Sequence, residues 1–140
     1  MIKMHTTNYF DTFIQVAEDT KVNCGTKPPS RVKKPSIAEL QYNLLVNNPY
    51  TFTSDDILFK VFAKRTNIPK EAYPKAREDF FSKSKACLRA SPLAKTYGFG
   101  IHADGKGKLA IFGMETEQYE SFLDNPKVSN KRAMRNSRAK

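Results

Sequence analysis

Seven residues carry side chains from which a small protein can build a site: His5, Cys24, Cys87, Arg89, Ser91, Tyr97 and His102. Arg89, Ser91, Tyr97 and His102 fall within fourteen residues. A serine beside a histidine can act as a nucleophile with its base. A guanidinium fork holds a carboxylate or phosphate. These four, with His5, are the candidates for a small-ligand pocket centred on Arg89, Tyr97 and His102. Ser91 also has a purely structural explanation: it precedes Pro92 as a helix cap, with proline at the first helical position, where the missing N–H is not needed. No G-x-S-x-G elbow surrounds it, and no residue is assigned as catalytic. In a strand of period two, His102 shares a face with Gly98 and Gly100. An imidazole among glycines suits either a ligand or a helix packed on that face, with the ring bonded to a backbone carbonyl.

Other combinations of these residues yield less. Thiolate and imidazole are good zinc ligands, but Cys24, Cys87, His5 and His102 lack the short paired spacing of structural zinc sites, so neither a metal nor a cofactor is expected. The Cys87-x-Arg89 pair could lower a thiol pKa, although Leu88 beside it argues for burial. Asp55 and Asp56 are adjacent, and on a helix they diverge by about 100°. They serve better as carboxylates at the positive end of a helix dipole.

Charge is distributed unevenly. The net charge is +10, yet residues 21–35 hold five Lys/Arg and residues 127–140 hold six, with no acid in either stretch. The remaining 111 residues carry thirteen Lys/Arg against fourteen Asp/Glu. Cations on the loop (Lys21, Lys27, Arg31, Lys33, Lys34), at a hairpin tip (Lys106, Lys108) and on the C-terminal stretch (Lys131, Arg132, Arg135, Arg138) are the candidates for polyanion contact. Neutralising several phosphates releases counterions, so such contact would be non-specific and salt-sensitive. No RNA-recognition, zinc-finger or homeodomain signature is present.

Those side chains must be positioned by elements that the sequence marks. Residues 9–17 read as a strand with both faces covered. A long loop follows from Glu18 to Pro35, and its composition favours disorder. Ser36 and Glu39 form a capping box before a helix with Ile37, Leu40, Gln41, Leu44 and Leu45 on one face. Thr53 to Asp56 open a second helix, with Ile57, Leu58, Val61 and Phe62 inward and Lys60, Lys64 and Arg65 facing away. A third helix spans Pro74 to Ser84, or starts at Pro69 and kinks. A short turn over Pro92–Tyr97 precedes a hairpin of FGIHA and KLAIF around Asp104-Gly105-Lys106-Gly107, where two glycines supply the turn. Thr116 caps a last helix with Tyr119, Phe122 and Leu123 inward. A hairpin needs a further strand to be stable in water, and the N-terminal strand supplies it. The expected fold is α+β: a small antiparallel sheet of the N-terminal strand and the hairpin, packed against about four helices, in a winged-helix-like arrangement. One domain would span residues 1–126 with its basic loop at 18–35, followed by a flexible basic tail over 127–140.

Four motifs resemble a domain-of-unknown-function family of short bacterial proteins: Met4-His5-Thr6-Thr7-Asn8-Tyr9, Tyr50 with Thr53-Ser54-Asp55-Asp56, Arg89-Ala90-Ser91-Pro92-Leu93, and Tyr97-Gly98-Phe99-Gly100-Ile101-His102. The resemblance covers roughly residues 4–126, with Phe99 standing where members tend to place tryptophan. It implies a bacterial cytoplasmic protein and brings no activity, ligand or catalytic residue.

The chain shows no apolar run of the length a secretory signal or membrane span requires. Two separated cysteines fit a reducing compartment. The expectation is a cytoplasmic, non-enzymatic module that contacts nucleic acid or another polyanion through its loop, hairpin tip and tail. The alternatives are a small-ligand binder or enzyme using the Arg89, Tyr97 and His102 pocket, and a homodimeric interaction module pairing through an open strand edge.

Overall fold

A computed structural model describes residues 5–30 and 33–136 of the chain. The fold is α+β. Strands β1 (Thr12–Gln15), β2 (Phe99–Ala103), β3 (Leu109–Gly113) and β4 (Ser129–Arg132) form one sheet in the order β3-β2-β1-β4. Helices α1 (Ile37–Asn47), α2 (Ser54–Arg65), α3 (Tyr73–Phe80), α4 (Pro92–Lys95) and α5 (Glu117–Asp124) surround it.

Period two sends adjacent residues of β1 to opposite faces, and both faces are covered: Phe13 is 0% and Ile14 is 2% exposed. Ile14 joins Ile101, Leu109, Leu45, Ile57 and Leu93 in the main core. Phe13 meets α5, edge-on to Tyr119 at 5.0 Å and stacked on Phe122 at 4.9 Å. A third cluster sits outside the sheet, where Phe59 and Ala63 of α2 bury Phe81 after α3. Helix α2 therefore serves two cores at once, which explains why its buried residues (Ile57, Phe59, Val61, Ala63) extend round the helix beyond one stripe.

Local signals set the helix boundaries. The Ser36 hydroxyl accepts from the Glu39 N–H at 3.1 Å, while a complete two-way capping box heads α2, between Thr53 and Asp56. The buried line of α1 is Ala38, Gln41 and Leu45, and Ile37 is 45% exposed rather than inward. After Pro69 a 3-10 turn over Lys70–Ala72 leads into α3, with Pro74 in its first turn. Ser91 and Thr116 cap α4 and α5 as their sequence context predicts.

Three expectations are corrected. First, the sheet is mixed, because β4 pairs parallel with β1. Second, β4 lies within the stretch read as a tail. Its side chains are all exposed, so no hydrophobic alternation announces it. Backbone bonds hold it, with Ser129 N–H to Asp11 O at 2.8 Å and Ala133 N–H to Gln15 O at 2.9 Å, and Ala133 is buried. Third, the described part of the 18–35 loop is fastened to the body. Thr26 N–H donates to Tyr97 O at 2.8 Å, Gly25 N–H to Glu115 at 2.9 Å, and the Pro28 side chain is fully buried. Arg31 and Arg138 lie outside the described residues.

Gly100 is the tightest point of the β2 face toward α5. A Cβ there would stand 2.3 Å from Phe13 Cζ and 2.7 Å from a Tyr119 ring carbon. Both rings are buried and packed in the same cluster, so neither moves aside cheaply. Gly100→Ala is expected to destabilise the fold by about 3 kcal/mol, as overpacking does, and the midpoint of a urea unfolding curve will read it.

Candidate functional site

The motif segments near the N-terminus turn out to be a clamp. The Asp55 carboxylate accepts from Thr6 Oγ1 at 2.7 Å, Thr7 N–H at 2.7 Å and Thr7 Oγ1 at 2.8 Å. The Asp55 N–H in turn donates to Asn8 Oδ1 at 2.9 Å. Asp56 completes the cap and meets Arg77 at 3.0 Å. Burial works to raise the Asp56 carboxyl, but the Thr53 N–H and the Arg77 guanidinium together outweigh it and hold the group below its usual range. Asp55 fixes residues 6–8 to α2 and Asp56 ties the cap of α2 to α3, and these partners leave them no role as an acid/base pair.

His102 sits opposite Phe13 on β1 and Ala110 on β3. A helix packs on that face, as one of the two sequence alternatives has it, and the ring stacks on Phe122 of α5 at 4.1 Å. Its hydrogen bond is not to a backbone carbonyl: Nδ1 meets the Tyr50 hydroxyl at 2.8 Å. Tyr50 adopts φ +54°, a conformation a bulky residue rarely takes. It is held there by its N–H to Leu109 O at 2.7 Å. Burial pushes the His102 imidazole below its usual 6.5, and the nearby Asp104 and Asp11 carboxylates pull the other way without overcoming it. Burial, then Asp104, raises the Tyr50 phenol.

The remaining pocket candidates have separate partners. Ser91 is buried, donates to Gln41 Oε1 at 2.6 Å and caps α4. Arg89 Nε donates to Arg132 O at 2.7 Å, tying the turn before α4 to β4. His5 is anchored by its N–H to Phe81 O at 2.9 Å. Cys87 accepts from the Tyr9 hydroxyl at 3.1 Å, and burial together with that contact pushes the Tyr9 phenol up to about 12. Among the described residues, no group of three His, Cys, Asp or Glu side chains is placed to hold a metal ion.

The cations also separate. At the hairpin tip the Asp104 carboxylate binds the Lys106 and Lys108 N–H groups, each at 2.9 Å, and Asp11 stands beside Gly105. Acid is therefore mixed with base there. Strand β2, five residues long, runs between this tip and Tyr97, a separation of about 17 Å. Lys131 and Arg132 lie exposed on β4. Arg135 pairs with Glu18 at 3.2 Å, and the Asn136 N–H bonds Asp19 at 2.9 Å.

Lys33 and Lys34 have different surroundings. Arg65, at the end of α2, donates from a guanidinium N–H to Pro35 O at 2.8 Å and pins the loop against the helix. A cavity of about 400 Å³ opens between them, lined by Lys33, Lys34, Lys64 and Arg65 together with Pro35, Leu40 and Asn67. A second cavity of about 390 Å³ shares Lys34 and Arg65 with the first and continues to Tyr97. Among the described residues, no Asp or Glu lines either. So Tyr97 and Lys34, assigned from sequence to rival sites, meet in one groove, and neither Arg89 nor His102 lines it. In the sequence Lys64 and Arg65 register only as the outward face of α2, and nothing there joins them to the 33–35 loop.

Together these features define a small α+β domain carrying a cation-lined groove. The chain belongs to the family of unknown function DUF6157, which matches residues 4–139 and so takes in β4 as part of the domain. No curated protein and no solved structure matches it. No helix among the described residues is long and apolar enough to cross a membrane.

The half-buried imidazole makes a pH prediction. With its folded pKa below 6.5, His102 takes a proton more readily in the unfolded chain, so its contribution is intact above that pH and is lost as pH falls toward the folded value. Stability measured by denaturant between pH 7.5 and 5.5 should fall less steeply in His102→Gln than in the parent.

Proposed function

We propose that this protein is a non-enzymatic module that holds the phosphodiester backbone of a nucleic acid in the groove between the 33–35 loop and the end of α2. One observation carries the reading: Lys33, Lys34, Lys64 and Arg65 converge on a cavity of about 400 Å³ with no carboxylate in its lining among the described residues. Like charges gathered without a counter-charge repel one another, and an incoming polyanion relieves that repulsion. The net charge of +10 adds long-range attraction of the same sign. Separate placement of Arg89, Tyr97 and His102 weighs against the enzyme reading, since a nucleophile, its base and an anion hold must share one site.

Four phosphate contacts give a salt dependence with a slope of about −3 in a plot of log affinity against log salt, on the scale of −0.7 per contact for single strands. Fluorescence anisotropy with a labelled oligonucleotide at rising potassium chloride measures it. The double variant Lys33→Glu/Lys64→Glu replaces two exposed side chains and should bind at least about tenfold more weakly, with the slope near −1. Lys106→Glu at the hairpin tip should change little. Unaltered affinity in the double variant, or no binding by the parent at low salt, defeats the proposal.

A further inference from the structure

We infer that the second lobe of the groove receives an unpaired base against Tyr97, so that the groove takes single-stranded nucleic acid in preference to duplex. The inference rests on the phosphate reading above and adds a recognition element to it. Lys34 and Arg65 line both lobes, so a backbone held by the four cations lies beside the second. That lobe has a different chemistry. Pro29, Ile37, Pro92 and Tyr97 supply apolar and aromatic surface, in a volume of about 390 Å³.

Two side chains in the lobe are not accounted for by folding. Ile37 opens α1 yet is 45% exposed. Tyr97 is half-buried, and among the described residues its hydroxyl has no hydrogen-bond partner and its ring no aromatic neighbour. Every other feature of residue 97 is backbone: its carbonyl accepts from Thr26 and its N–H donates to Pro92 O. A ring positioned by its main chain on both sides and lining the cavity offers a stacking platform, and stacking is tolerant of base identity because every base has a π-face. A duplex keeps its bases inside and can offer the lobe only sugar and phosphate. An unpaired strand can turn a base into it.

The test uses the full chain and three probes: an oligothymidylate single strand carrying one 2-aminopurine, the same sequence as a duplex, and heparin, a polyanion without bases. The parent should bind the single strand about tenfold more tightly than the duplex and quench the 2-aminopurine. Tyr97→Leu keeps an apolar side chain but removes the ring. It should lose about tenfold on the single strand, lose the quenching, and bind heparin as the parent does. Tyr97→Phe should restore both affinity and quenching, which separates stacking from damage to the fold. Equal binding of single strand and duplex by the parent overturns the inference. So does a Tyr97→Leu variant that keeps the quenching or loses heparin to the same degree. If the Lys33→Glu/Lys64→Glu variant fails on all probes while Tyr97→Leu is inert, the phosphate groove stands and the base lobe falls. If the parent binds none of the probes, both fall.

Discussion

The structure depends on the double burial of β1. Four residues long, it has Phe13 sealed beneath α5 and Ile14 sealed in the core that α1, α2 and α4 cover. Removing either ring or branch would open a cavity in one core and loosen the strand that organises the other. Both neighbours of β1 in the sheet are recruited from the distant C-terminal half, β2 on one side and β4 on the other. A segment so short gains nothing from propensity. Its place is fixed by hydrophobic burial on two sides and hydrogen bonds on both edges.

That arrangement also sets where the loop goes. Just past β1, Ala17 N–H donates to Ala94 O of α4 at 2.9 Å. The chain is then led along the end of the sheet, where Glu115, Tyr97 and Arg65 catch it in turn. At Gly25 it approaches so closely that a Cβ would lie 2.7 Å from the Phe99 ring and 2.9 Å from the Gly113 backbone. The cationic Lys33 and Lys34 are thus delivered to the end of α2 by a path whose fixings are spread over ninety residues of sequence.

This distribution explains what could be read in advance. Caps are local: Ser36, Thr53, Ser91 and Thr116 each bond an N–H two or three residues away, so the helix starts were legible. The hairpin was legible for the same reason, its turn chemistry lying within Asp104 to Gly107. Strand β4 was not, because the side chains of Ser129, Asn130, Lys131 and Arg132 are all exposed, and its place rests on main-chain pairing with β1 and polar contacts of Asn130. The groove was half legible. Lys33, Lys34 and Tyr97 stood out by type, but Lys64 and Arg65 sit thirty residues further along, and only the fold brings them alongside. Local rules find elements, whereas a site assembled by tertiary contact has no signature in any one window.

Arg65 holds the carbonyl of Pro35 while its charge faces the groove. One guanidinium therefore acts as both a fastener and an electrode. Its orientation is fixed before anything arrives, so little rotamer freedom remains to be lost when an anion docks. Lysine has the charge but not the planar fork, and at this position it would leave the loop hinge slack. The two functions cannot be altered independently, and this couples the shape of the groove mouth to its electric field.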